Sequence, residues 1–223
     1  MKKLSYLALV LATSLTACEF DNFAPPESVL EGRLVYQGQP VSVRENAIQL
    51  ELWQEGYALR DAIPVYVKQD GTFAAKLFDG KYKLVPKQNN GPWQSNADTI
   101  QVELRNSQTL DVPVSPYFII ENATIERSNA TLTATFDVQQ VIEGWQVERV
   151  ALYVATTQFV DSKYSTAQVE STDVGAVLSG PTTLALELGD LATSEAYVFA
   201  RVGVKTVGVE EMIYTPVQKI ELK

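Results

Sequence analysis

Cys18 is the only cysteine in this 223-residue chain, and there is no histidine at all. Those two counts restrict the available chemistry. Serine–histidine and cysteine–histidine nucleophiles are excluded, as are zinc sites built from histidine or cysteine. Catalysis would have to rest on carboxylates, tyrosine, lysine or an oxygen-ligated metal. Glycoside hydrolysis needs two carboxylates at a fixed separation across a cleft. The acids that stand out here, Asp61, Asp70, Asp79 and the pair Glu210-Glu211, fall in loops and turns instead. No dense Asp-x-Asp cluster offers itself to calcium. The expectation is a protein that is not an enzyme and uses no cofactor or metal.

Cys18 has a different use. Met1-Lys2-Lys3 is a positive leader, Leu4 to Leu15 an apolar run, and Leu15-Thr16-Ala17-Cys18 a lipobox. This is the layout of a bacterial lipoprotein signal peptide. Cleavage ahead of Cys18 would remove residues 1–17 and leave a thioether-linked diacylglycerol and an acylated amine. The apolar run falls short of the roughly 20 residues needed to span a bilayer. Several acyl chains on one residue hold a protein to a membrane far better than one. The mature chain is therefore expected outside the cytoplasm on a lipid tether, residues 18–28. Its net charge of −9 and pI near 4.6, with no basic cluster, argue against nucleic acid as a partner.

What remains open is binding. Trp93 lies in a polar loop with Asn89, Asn90, Gln94 and Asn96. An indole stacks on the apolar C–H face of a sugar, while amides exchange hydrogen bonds with hydroxyls. The bland alternative is that Trp93 caps the first sandwich or packs against a second domain. Trp53 has the parity of Gln49 and Glu51, the polar side of its strand, and Tyr57 follows closely. That side is either a platform or a partner contact, unless the indole turns inward at a bulge near Gly56. Trp145 reads as core.

The elements that must position these residues are strands. Period-two patterning runs from Val29 onward, punctuated by Gly, Asp, Asn and Pro, and helical periodicity never lasts two turns, so the chain reads as all-β. Leu30, Gly32, Leu34 and Tyr36 share one face. So do Ile48, Leu50 and Leu52, and again Ile63, Val65 and Val67. Asp70-Gly71 and Asp79-Gly80 read as hairpin turns. Pro113 and Pro116 bracket a break that divides 29–114 from 115–223. Beyond it, Leu132, Ala134, Phe136 and Val138 form an inward set, followed by Val150, Leu152 and Val154, then Leu184, Leu186 and Leu188. Leu191, six residues before Tyr197, fits a tyrosine corner. The stretch from Gln158 to Gln168 has no assignable period. Two small β-sandwiches in tandem are the expected fold.

Glu31-Gly32-Arg33-Leu34, Asp70-Gly71-Thr72-Phe73 and Gly80-Lys81-Tyr82-Lys83-Leu84 resemble the transthyretin-like or carboxypeptidase regulatory-like module. The second half resembles an immunoglobulin or fibronectin type III sandwich. With Asp21-Asn22-Phe23, Asp98-Thr99-Ile100 and Val112-Pro113-Val114-Ser115-Pro116-Tyr117, the whole resembles a Bacteroidetes lipoprotein family. That family has an N-terminal domain of unknown function and an immunoglobulin-like C-terminal domain. The resemblance implies an outer-membrane address and a place beside SusC/SusD-type glycan uptake systems, with glycan or transporter subunits as partners. It brings no catalytic residue. Glu19 and Asp21 resemble a surface-export signal, which favours the cell surface over the periplasmic face. Asp98-Thr99-Ile100 matches the O-glycosylation pattern of that lineage, with Thr99 as acceptor.

Overall fold

The computed structural model describes residues 24–54, 56, 61–96 and 98–223. Cys18, Glu19, Asp21 and Tyr57 lie outside the described residues. The first domain has two sheets. One joins β1 (Ser28–Tyr36) to β2 (Gln39–Pro40) and β5 (Thr72–Leu77), with β8 (Ser107–Pro113) running parallel on its other side. The other has the order β4 (Ile63–Tyr66), β3 (Gln49–Gln54), β6 (Gly80–Pro86), β7 (Ile100–Leu104). The alternation seen in the sequence packs them: Leu30, Leu34, Leu50, Leu52, Val65, Phe73 and Leu84 fill the space between.

Both Asp-Gly turns form, but neither makes a hairpin within a sheet. β4 pairs with β3 and β5 with β1, so the Asp70-Gly71 turn carries the chain across the sandwich; only an isolated Val67–Phe73 bridge links its arms. Asp79-Gly80 returns it from β5 to β6. Gly71 is left-handed (φ 82°), and a Cβ there would meet Val41 O at 2.4 Å. Asp70 holds the turn through Thr72 N and Oγ1 at 3.0 and 2.7 Å. Asp79 accepts from the Ser28 hydroxyl and from Asn106 N.

The second domain packs β9 (Phe118–Ser128), β10 (Thr131–Gln140) and β13 (Thr182–Glu187) against a five-stranded sheet. That sheet holds β11 (Val147–Ala155), β12 (Ala167–Ser171), β14 (Tyr197–Thr206), β15 (Ile213–Tyr214) and β16 (Gln218–Glu221). This is the strand arrangement of a fibronectin-like sandwich. Short helices α1 (Val174–Ser179) and α2 (Leu191–Ser194) connect its later strands. Leu191 packs on the core, but Tyr197 does not bury as a corner tyrosine. Its exposed ring meets Phe199 edge-on at 5.6 Å, with the Lys219 ammonium 4.0 Å above it. Trp145 is not core either: it is exposed and lies against Tyr117, with ring centroids 3.9 Å apart.

One hydrophobic core runs through both domains, and polar contacts weld the joint. Arg44 pairs twice with Glu211, one contact being Nε to Oε2 at 3.0 Å. Tyr214 N donates to Ser42 O at 3.1 Å. Arg201, fully buried, donates from Nη1 to Val43 O at 2.9 Å and lies 3.9 Å over the Tyr214 ring. Its Nε and Nη2 lack hydrogen-bond partners among the described residues, and burial lowers its pKa to about 10.

Candidate functional site

Strand parity decides which way β3 points its side chains. Leu50 and Leu52 enter the core, so Gln49, Glu51 and Trp53 leave on the opposite side. Register completes that outer face. Trp53 lies opposite Lys83, Glu51 lies between Pro64 and Val85, and Gln49 lies opposite Tyr66. Trp53 is 37% exposed and Tyr66 48%. The indole is held in place by Nε1 donating to Glu51 Oε2 at 3.3 Å, and Lys87 Nζ donates to Gln49 Oε1 at 2.8 Å. Four residues of strand separate Trp53 from the Gln49–Tyr66 row, roughly 13 Å. A hollow of about 400 Å³ opens beside them, lined by Glu51, Val85, Pro86, Lys87, Gln88 and Asn96. Two aromatic rings on a rigid sheet, with a carboxylate, an amide and ammonium groups between, can stack on sugar C–H faces and exchange hydrogen bonds with hydroxyls.

Trp93 is not part of that surface. It is 3% exposed, folded over Gly91 and bridged through its backbone to Pro116. Gln94 N donates to Ser115 O, and Tyr117 N to Pro92 O. The loop is a seam between the domains, and its indole belongs to the shared core. Its amides are also committed. Asn90 Oδ1 accepts from Gln49 N at 2.6 Å and Nδ2 donates to Ala47 O at 3.3 Å, closing the start of β3. Asn89 is left-handed (φ 55°), and its N–H donates to Ser95 Oγ. Gln94 and Asn96 are exposed, and Asn96 Nδ2 donates to Asp98 Oδ2 at 2.8 Å. Thr99, exposed, immediately precedes β7.

The sequence did not single out Tyr66, although Val65 points inward and so Tyr66 must point out. Phe159 and Tyr164, exposed on the loop after β11, also went unnoticed because that stretch has no period. A larger hollow, about 760 Å³ between the domains, is lined by Tyr36, Gln37, Val41, Ile120, Tyr214 and Gln218 among others. It shows no exposed ring, since Tyr36 is half-buried and Tyr214 buried under Arg201. The acids are mostly occupied structurally: Asp70 and Asp79 in turns, Glu211 on Arg44.

A transthyretin-like sandwich welded to a fibronectin-like one, with aromatic rings displayed on a sheet face, defines a two-domain all-β scaffold. The chain belongs to the DUF3823 family. Residues 28–115 match the "Protein of unknown function (DUF3823) N-terminal domain", and residues 118–219 match the "Domain of unknown function (DUF3823_C)". Crystal structures of DUF3823 family proteins from Parabacteroides merdae and Bacteroides ovatus are each 35% identical to it. They cover 89% and 88% of this chain and 100% of their own, with TM-scores of 0.83 and 0.82. A putative carbohydrate binding protein from Bacteroides uniformis shares the fold at 18% identity and TM-score 0.72, covering 88% of this chain and 99% of its own. No curated protein matches the chain.

Proposed function

We propose that this protein is a non-enzymatic lipoprotein of the outer membrane, anchored through Cys18 and accessory to a SusC/SusD-type glycan uptake system. It binds glycan weakly across the face bearing Trp53 and Tyr66. The observation that carries this reading is the exposed Trp53 indole, pinned by Glu51 on a sheet face that also bears amide, ammonium and tyrosine groups. The lipobox supports the anchor, and the name of the Bacteroides uniformis neighbour supports the ligand class. β1 begins at Ser28 and ends at the domain joint, roughly 26 Å away. A tether entering at Ser28 therefore sets the first domain nearest the membrane and the second facing outward. Holding a weak binder beside a transporter raises effective ligand concentration without high intrinsic affinity.

The test is affinity electrophoresis of the mature chain without lipid (residues 19–223) through gels containing xyloglucan, glucomannan, mixed-linkage β-glucan, amylopectin or polygalacturonate. Retardation by one of them, lost in Trp53→Ala and Tyr66→Ala but kept in Trp93→Phe, supports the reading. The same exposed rings would also suit a protein contact. Absence of retardation in every gel would favour a partner that packs on transporter subunits and never touches sugar.

A further inference from the structure

The loop at 156–166, between β11 and β12, carries no strand pattern, yet it is tightly held. Val160 and Asp161 are fully buried, and Val160 packs with Ala151, Tyr153, Met212 and Tyr214 on the outer side of the five-stranded sheet. Asp161 Oδ1 accepts from Lys163 N at 2.7 Å and Tyr164 N at 3.0 Å. Tyr214 Oη donates to Ser162 Oγ at 3.0 Å. Asp161 Oδ2 has no hydrogen-bond partner among the described residues and stands 3.9 Å from Arg201 Nη2. Burying a carboxylate this way is costly. Its effect is to hold the flanking rings out in water, Phe159 at 44% and Tyr164 at 60% exposure. Apolar rings fixed on an ordered loop lose little further freedom when a ligand arrives.

Those rings border a hollow of about 490 Å³ with Thr157 of the same loop and Glu45 and Asn46 of the first domain. Asn46, left-handed at φ 55°, donates its N–H to Val67 O at 2.9 Å. Val67 follows Tyr66, and Asn46 precedes Gln49 by three residues. The hollow therefore lies where the Trp53–Tyr66 face ends, at most roughly 23 Å from Trp53 along the strand.

We propose that one extended saccharide runs from Trp53 past Tyr66 to a second stacking point at Phe159 and Tyr164, so that both domains read a single chain. This rests on the sheet face being a glycan site. The junction end is lined by one carboxylate, one amide and two hydroxyls, with no cation, which suits an uncharged glycan segment over a uronic or sulfated one. A disaccharide cannot reach both ends, so affinity must climb with ligand length.

The experiment is calorimetric titration of the mature chain with whichever polysaccharide retards it, and with that polysaccharide's di- to octasaccharides. Phe159→Ala/Tyr164→Ala should weaken polysaccharide binding about tenfold while leaving the shortest ligands that bind unaffected. Trp53→Ala should weaken every length. Asn46→Gly, which keeps the left-handed backbone and removes the amide, should give a smaller loss with the same length dependence. All three variants alter exposed side chains, and circular dichroism checks that they fold. If the double variant matches wild type at every length while Trp53→Ala fails, the junction site is wrong and the sheet site stands. A loss that is uniform across lengths would also overturn the continuous track. No binding by the wild type would remove both readings together.

Discussion

Trp93 comes from an amide-rich loop and Trp53 from the polar side of a strand, and each could display its indole to a ligand. The structure separates them. A strand fixes side-chain direction by parity, so once Leu50 and Leu52 are inward, Trp53 has no route into the core. A loop imposes no such rule, and Trp93 turns back over Gly91 to fill the seam where Ser115 and Pro116 enter the second domain. Polar neighbours in sequence therefore say less about exposure than register does. Asn90 illustrates the same point: its amide closes the start of β3, accepting from Gln49 N and donating to Ala47 O.

The comparison can be broken most forcefully at the seam. Trp93→Ala removes a buried indole from the common core and should cost about 3–5 kcal/mol, read as a large drop in melting temperature. Next comes Arg201→Met. It removes the cross-domain bond to Val43 O and leaves Asp161 buried without its cation, for a loss of about 3 kcal/mol. Calorimetry should show one transition for the wild type and a broadened or split one for the variant as the domains uncouple. A smaller effect is expected at the far end of the first domain. The Ser28 hydroxyl, with Asn106 N, holds the Asp79 carboxyl below the ordinary carboxylate range. Stability from a depressed carboxylate is present above its unfolded value, about 3.9, and is lost as pH falls through the folded one. Asp79→Asn should therefore melt below wild type at pH 7, and the gap should narrow toward pH 3. Least disruptive to the fold is Trp53→Ala, expected within about 0.5 kcal/mol of wild type while abolishing gel retardation.

The sequence conveyed the all-β class and most inward positions because alternation is local. It also marked Asp70-Gly71 and Asp79-Gly80 correctly as turns. What it could not convey was where the next strand goes, since a hairpin and a sheet-crossing turn share their local chemistry and differ only in a distant partner, β1 or β3. Tyr197 fits a corner spacing yet sits outside beside Lys219, for the same non-local reason. For the candidate site, Trp53 was legible through parity, and Tyr66 was available by the same rule. Phe159 and Tyr164 were not, because their exposure depends on Val160 and Asp161 being drawn under a loop by residues some fifty positions away.

The most direct test of the sheet-face reading uses the chain's three tryptophans as reporters. Their indole N–H resonances, assigned with Trp53→Phe and Trp93→Phe, would be followed by ¹⁵N NMR as a soluble glycan is added. The account predicts that the Trp53 resonance moves with ligand concentration while that of Trp93 stays fixed. Movement of Trp93 with Trp53 unchanged, or of neither across the glycan panel, would contradict it.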